Sequence, residues 1–367
     1  MKKPKIGIFT RPIDQGYSGS GHHLLEIVTH LLKQNNDEFD IHLLHYVKND
    51  KPIYQETKEL ILPRNPLKAS AILRKHNFDL LHYSPLTPYA PIWGVKSKKV
   101  GTIHGAEPDL LPHLYPFKAR FHSRVTKPLL SRHMDHIFTV SETSRNYFSK
   151  NYHIPKERFS ICYNAVNPNY KIIDQEKCDV RERLNTGKRF ILHISNYGER
   201  KNPWTMMDAF AALLKEPGFD DYKLVLAGNR WGNEETKAYA AKLNISERVV
   251  FPGFISEEDA VGLFNLAELF LFPSLAEGYG MPNVEAMACG CPVITSNVFA
   301  LPEIVGDAAM VLDDPLDSER LTKLMTQVLA DENKKSELIE KGLKRAASFS
   351  WEESADTILK VYRNLLS

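Results

Sequence analysis

No stretch of this 367-residue chain approaches the ~20 consecutive apolar residues that a membrane span needs. The basic start MKKPKIGIFTRP lacks the apolar segment and cleavage site of a secretory signal, so IGIF reads better as a first buried strand. None of the four cysteines (Cys162, Cys178, Cys289, Cys291) forms a C-x-x-C pair, and Cys289 and Cys291 are too close for an easy disulfide. A reducing cytoplasm is the compartment these absences suggest. There is no G-x-x-x-x-G-K-[ST], which excludes a P-loop enzyme. The nicotinamide fingerprint also fails. In YSGSGHH (17–23) the third glycine position falls on Leu24, and no acid is well placed at the end of the second strand to hold a ribose. Neither a D-x-D motif nor a His/Cys/Asp cluster with ligand spacing is present. Nothing repeats at a solenoid period.

What is there is an ordinary globular composition, 43% hydrophobic and 25% charged. The length exceeds the ~150–250 residues at which single cores usually stop growing, so two domains are expected. The net charge of +2 hides an asymmetry: residues 1–170 carry 24 Lys+Arg against 14 Asp+Glu, and residues 171–367 carry 23 against 31. A basic half and an acidic half suggest different partners, unless surface charge merely drifts between domains.

Short apolar runs alternate with helical patterns. IGIF (6–9), IHLLHYV (41–47), LLHYS (80–84), VGTIH (100–104) and HIFTVS (136–141) read as strands, with a helix over HLLEIVTHLLK (23–33). The polar stretch 164–188 suits a linker. A second series follows: RFILHIS (189–195), KLVLAG (223–228), RVVFPG (248–253), LFLFPS (269–274) and PVITS (292–296), separated by helices near 203–215, 234–243, 257–266 and 283–289. Such alternation predicts parallel, doubly wound α/β sheets. The expectation is two Rossmann-like domains facing across a deep cleft, 1–170 and 171–350, with a last helix (351–367) returning to the first. Ligands of such sheets bind beyond the carboxyl ends of the strands, here the loops 10–22, 104–109, 195–202, 228–233, 253–257 and 274–283.

One of these loops opens AEGYGMPNVEAMACGCPV (276–293). After the strand LFLFPS, Ala276 to Met281 make a turn, Pro282 fits a first helical turn, and Gly290 supplies the helix stop. Glu277 is expected in the loop and Glu285 in the first helical turn, facing the same way. Carboxylates there accept hydrogen bonds from sugar or ribose hydroxyls; the plainer accounts are a solvated loop acid and an acid favoured near a helix N-terminus. In HISNYGERKNPW (193–204), Arg200 and Lys201 follow a strand and precede a helix, where they suit a diphosphate or, failing that, solvent. His104 ends VGTIH. Finally, 110–134 holds Lys118, Arg120, Arg124, Lys127 and Arg132 with no acid, interleaved with Tyr115, Phe117 and Phe121. That face suits an anionic membrane surface or a lipid diphosphate; a solvated face is the rival account, and no nucleic-acid motif accompanies it.

The two glutamates resemble the E-x7-E signature of retaining glycosyltransferases of family 4, which have the two-Rossmann GT-B fold. The similarity extends through VVFPGFISEEDAVGLFNLAELFLFPS (249–274) and SNVFALPEIVGDAAMVLDDPLD (296–317). The resemblance implies a metal-independent transferase that moves a hexose from a nucleotide diphosphate sugar, bound mainly by the second domain (171–350), to a glycan or lipid-linked acceptor bound by the basic first domain (1–170). It places Glu277 and His104 at the transferred sugar, Glu285 at the ribose, and Arg200 and Lys201 at the diphosphate. It implies donor contacts at Gly19, Ser20, Gly21, Asn196, Phe254, Gly280, Met281, Pro282 and Asn283, with backbone amides around Gly280, Met281 and Asn283 serving sugar and phosphates. YSGSGHH resembles the family's GGxG loop with Ser18 for the first glycine. The family often has Arg where this chain has Asn196, and Asp where it has Gly105. The pattern is most similar to mannosyltransferases of bacterial surface polysaccharides, so GDP-mannose is the first expectation for the donor and a UDP-sugar the second. No cofactor is expected. A cytoplasmic enzyme, peripheral on the inner membrane face, is the implied setting. An epimerase of the same fold and a non-catalytic sugar-nucleotide-binding module are the alternatives.

Overall fold

Runs rich in Ile, Leu, Val and Phe, bounded by polar turns, make strands that are buried on both faces, and parallel sheets need such strands. A computed structural model describes residues 3–14 and 19–367, and its chain divides into two compact units, Met1–Asn164 with Ser350–Ser367, and Ala165–Phe349. The first unit is built on seven parallel strands: β1 (Lys5–Phe9), β2 (Asp40–His45), β3 (Lys58–Ile61), β4 (Leu80–Tyr83), β5 (Lys98–Ile103), β6 (His136–Thr139) and β7 (Phe159–Ile161). Their order is β3-β2-β1-β4-β5-β6-β7. The second unit has six: β8 (Phe190–Ile194), β9 (Lys223–Ala227), β10 (Val249–Gly253), β11 (Leu269–Phe272), β12 (Val293–Ser296) and β13 (Met310–Leu312), ordered β10-β9-β8-β11-β12-β13. Every pairing in both sheets is parallel.

Each order reverses direction once, between β1 and β4 and between β8 and β11. Crevices open at such switch points, beyond the strands' carboxyl ends. In the second unit the core beneath the crevice is filled by Met206, Met207, Phe210 and Leu213 of the helix Pro203–Leu213. Leu321, Leu324, Met325 and Val328 of the helix Ser318–Ala330 pack with them.

The last helix, Trp351–Leu366, packs on the helix Gly19–Gln34 of the first unit, as its apolar stripe predicts. Ser350 caps it by accepting from Glu353 N, Tyr362 Oη bonds buried His82 at 2.7 Å, and Arg363 forks onto Glu38.

Three readings change. The stretch 164–188 is no loose linker: from Ala165 it belongs to the second unit. It is fastened to the helix Glu257–Leu266, with Ile173 N donating to Asn265 Oδ1 at 2.9 Å and Arg183 paired to Asp259 at 2.7 Å. The glycines of GSG (19–21) form the first turn of the helix Gly19–Gln34 rather than a separate turn. Tyr17 and Ser18 lie outside the described residues. Glu285 sits in the second turn of the helix Met281–Ala288, so its place owes nothing to the helix N-terminus.

Candidate active site at the second switch point

The loops after β8 and β11 are tied together backbone to backbone and side chain to backbone. Leu275 N donates to Arg200 O at 2.8 Å, and Asn202, left-handed at φ 59°, donates through Nδ2 to Pro273 O at 3.1 Å. This brings Glu277 against two cations. Lys201 Nζ lies 2.5 Å from Glu277 Oε1, and the Arg200 guanidinium reaches the same oxygen while also donating to Ala276 O at 2.7 Å. Lys201 and Glu277 are both buried, and the ammonium stands 4.4 Å from the Phe272 ring centre. Burial alone would raise the Glu277 pKa; the Lys201 and Arg200 charges outweigh it and hold the carboxyl below the usual range. The trio carries one net positive charge, which suits a site for an anion.

His193 supports the trio from the centre of the sheet. Burial holds it down to about pKa 3, so the ring is neutral. Its Nδ1–H donates to Leu271 O at 2.8 Å, and Nε2 accepts from the Ser195 hydroxyl at 2.7 Å. The alternation of β8 makes RFILHIS legible as a strand, yet nothing in it marks His193 as the residue under the site.

Gly280 starts the helix Met281–Ala288 at φ +87°, and a Cβ there would meet Leu301 Cδ2 at 2.5 Å and Asn283 Nδ2 at 2.9 Å. Only glycine fits the turn. The backbone N–H of Asn283 is already donated to Gly280 O at 3.0 Å, so it is not open to a phosphate. Its side-chain amide is another matter: fully buried, it has no hydrogen-bond partner among the described residues at either Nδ2 or Oδ1. Orphaned buried amides are uncommon, and a ligand hydroxyl or phosphate can complete this one. Met281 and Pro282 are half-buried beside it. Glu285, one turn further along the helix, is half-buried and within electrostatic reach of Glu257 and Tyr170; burial first and the Glu257 charge second push its pKa up to about 7. Asn196 is exposed and accepts from Asn229 N at 3.4 Å, and Phe254 is exposed just past β10.

The comparisons with known proteins bear on this geometry. Residues 17–170 match the family model described as Glycosyltransferase Family 4, and residues 174–345 the one described as Glycosyl transferases group 1. O-antigen chain mannosyltransferase B of Escherichia coli is 28% identical over 384 residues, covering 98% of this chain and all of that protein. The serotype-specific mannosyltransferase WbdA of Escherichia coli is 31% identical over 239 residues, 63% of this chain but only 29% of that longer protein. Among solved structures, HepE of Anabaena, in complex with UDP and glucose, matches with a TM-score of 0.78 at 20% identity over 98% of this chain and 100% of that one. The chain belongs to the family 4 glycosyltransferases.

The glycosyltransferase carries its remaining candidate residues on the first unit. His104 follows β5 directly, half-buried, with Nε2 buried and unpartnered among the described residues. Burial and then the Lys127 charge bring its pKa down to about 4, so it stands ready as a neutral acceptor or donor. His23 meets it edge to face at 4.7 Å and is itself fixed by donating from Nδ1 to Asn164 Oδ1 at 2.5 Å. The Glu107 carboxylate occupies the space that a side chain at Gly105 would enter. Sequence reasoning noted the missing Asp at 105 but had no means to see an acid two residues later filling its place. Gly19 has open space where a Cβ would be, so nothing near it demands glycine; Gly21 is buried and Ser20 half-buried.

The basic segment is only partly a basic surface. Lys127 turns inward to Gly105 O at 3.3 Å, Arg120 is half-buried, and Arg132 donates from Nε to Tyr152 O. Arg124, Lys118 and Arg132 stay exposed. Beside them runs an apolar stripe that sequence reasoning only half saw: Phe117 (69% exposed), Phe121 (47%), Val125 (48%) and Leu129 (47%). Every fourth residue of an α-helix leads the last by about 40°. The π turn at His122–Thr126 takes more residues per turn and offsets that drift, so the four share one side. No helix of the described residues is long and apolar enough to cross a membrane.

Proposed function

We propose that this glycosyltransferase moves mannose from GDP-mannose, with retention, to a saccharide acceptor, and that it does so without a metal. The observation that carries the reading is the pairing of Arg200 and Lys201 on the single buried carboxylate of Glu277, at the switch point of the second sheet. Two cations there meet the need of a departing nucleoside diphosphate for positive charge. Glu277 lies within reach of the transferred sugar, the orphaned Asn283 amide bonds a donor oxygen, and Glu285 takes the ribose hydroxyls. His104, from the first unit, contacts the sugar. No side chain stands out as a covalent nucleophile, so same-face attack is the mechanism proposed, the leaving phosphate accepting the acceptor's proton. The relatives' names favour mannose, whereas HepE was solved with UDP and glucose, which keeps a UDP-sugar as the second reading.

Thermal-shift titration with GDP, UDP and their sugars tests the donor, and stabilisation by UDP but not GDP would replace the first reading with the second. Product NMR tests the stereochemistry: an anomeric configuration opposite to the donor's would end the retaining mechanism.

We also propose that the enzyme rests on an anionic membrane face through the Phe117/Phe121/Val125/Leu129 stripe and its flanking cations Lys118, Arg124 and Arg132. Arg120 and Lys127 are not part of that face.

A further inference from the structure

His104 stands directly after β5, and its main chain is held from two sides. On one, Ser144 of the helix Glu142–Tyr152 donates through Oγ to His104 O at 3.2 Å. On the other, Lys127 reaches in from the basic segment and donates through Nζ to Gly105 O at 3.3 Å. The ring meets His23 of the helix Gly19–Gln34 edge to face at 4.7 Å. These contacts fix where Nε2, buried and unpartnered among the described residues, is offered to a ligand.

Packing does not explain why residue 127 is a lysine. Its ammonium is drawn in over the Phe148 ring, 5.6 Å from the centre, and no carboxylate forms an ion pair with it among the described residues. Two acids reach it through their fields, Glu107 and Asp109. Asp109 is engaged by Ser123 Oγ at 2.9 Å and by the Arg124 guanidinium at 3.8 Å, and Glu107 fills the space beside Gly105. Burial pulls the lysine's pKa down, while Glu107 and then Asp109 favour its charged form. A cation drawn in without a paired acid costs more than an apolar side chain of the same length.

The charge does act on His104. An imidazole nitrogen accepts a hydrogen bond from a sugar hydroxyl only while it is unprotonated. Burial first and the Lys127 charge second oppose protonation of that ring. The other titratable groups beside it are His23, which burial keeps neutral, and Glu107 at Gly105. We propose that Lys127 is a positioning residue for His104: through Gly105 O it fixes the loop that carries the histidine, and its ammonium discourages a second cation on the ring. The assignment rests on the reading that His104 contacts the transferred sugar, and deepens it: the sugar hydroxyl meets a neutral acceptor already in place.

Lys127→Met and Lys127→Gln remove the charge and keep an unbranched stem over Phe148. Proton NMR of the full chain reads the titration of the ring without any substrate, the His104 signal being identified by its loss in His104→Gln. Its midpoint is expected to move up by about half a pH unit or more in both variants. GDP release from GDP-mannose, followed from about pH 5 to about pH 8, reads the consequence. The kcat should fall about tenfold, more at the acid end, with KM for the nucleotide sugar within about twofold of the parent's. A lysine that only fills space would leave the midpoint unmoved and lower kcat by one factor at every pH. Either result would overturn the proposal. His104→Gln turning over like the parent would remove the histidine from the sugar and take the proposal with it. A slow His104→Gln beside lysine variants with an unmoved midpoint would overturn the Lys127 assignment alone. A parent that releases no GDP would refute the first donor reading, and the titration would then decide for or against Lys127 by itself.

Discussion

Lys201 donates to Glu277 across 2.5 Å although 76 residues separate them in the chain. Both are buried, and Arg200 reaches the same carboxylate oxygen. Removing the carboxylate therefore strands two cations in a poorly hydrated place. Loss of one partner of a buried pair costs about 3–5 kcal/mol.

Glu277→Gln keeps the shape and removes the charge, so it should lower Tm by several degrees and reduce turnover by about 10²-fold or more. Nucleotide diphosphate affinity should hold or rise, because the cations then lack their internal counter-ion. Calorimetry with and without GDP and a turnover assay measure all three. A variant that melts and turns over like the parent would show the trio to be idle.

Glu285 titrates in the opposite sense. Its pKa rises from 4.5 to about 7. Below pH 4.5 the group is protonated folded or unfolded, and it has no effect. Between 4.5 and 7 the unfolded chain ionises first, so stability falls as pH rises; above 7 the penalty stays constant. Glu285→Gln should thus be more stable than the parent at pH 8, with the difference closing near pH 4. Ribose hydroxyls donating to the ionised carboxylate would release a proton on nucleotide binding between pH 5 and 7. Titration calorimetry in buffers of different ionisation enthalpy counts that proton, and a count of zero would remove Glu285 from the ribose.

The sequence was most legible where period and burial agree. The ten long strands are apolar runs, and the cap-and-stripe pattern of Trp351–Leu366 needs no tertiary help. Three strands escaped. Lys58–Ile61 is the sheet edge, with two of its four residues exposed, and Phe159–Ile161 and Met310–Leu312 are three residues long, too short for any period to show. The site divides in the same way. Glu277, Arg200 and Lys201 stand in local motifs, so each was named, but their pairing depends on β8 and β11 being neighbours, which no local pattern encodes. His45 ends β2, Glu59 lies within β3, Ser84 follows β4 and Asp14 ends the helix Arg11–Asp14, and none stood out alone. The sequence also hid the inward turn of Lys127, since a lysine in a basic run looks like all the others.

The exposed stripe yields a prediction that carries no folding penalty. Phe117 and Phe121 touch solvent, so Phe117→Ser with Phe121→Ser should leave Tm unchanged. Binding to vesicles containing anionic lipid should nevertheless fall by about tenfold, the loss of two rings from the interface. Lys118→Gln with Arg124→Gln should weaken binding by a similar factor at ~1 kcal/mol per cation, and only where anionic lipid is present. Flotation with neutral and anionic vesicles separates the two contributions. Equal flotation of all variants would mean that the stripe faces something other than lipid.

Gly280 gives the most direct test of the donor loop. At φ +87° an alanine pays about 1–2 kcal/mol for the left-handed backbone alone. Its Cβ would also press on Leu301 Cδ2 at 2.5 Å and on the Asn283 amide at 2.9 Å, and one of the two must give way. Leu301 and Asn283 are both fully buried, so the clash disturbs the amide as well as the packing of Leu301. Gly280→Ala should lower Tm and, if the orphaned Asn283 amide bonds the donor, weaken nucleotide-sugar binding as well. Asn283→Ala separates the two effects: it removes the amide and leaves the backbone unstrained. The expected pattern is a shared loss of nucleotide-sugar affinity with the larger loss of stability in Gly280→Ala. Unchanged affinity in Asn283→Ala would take the amide out of the donor site and leave Gly280 as a purely structural turn.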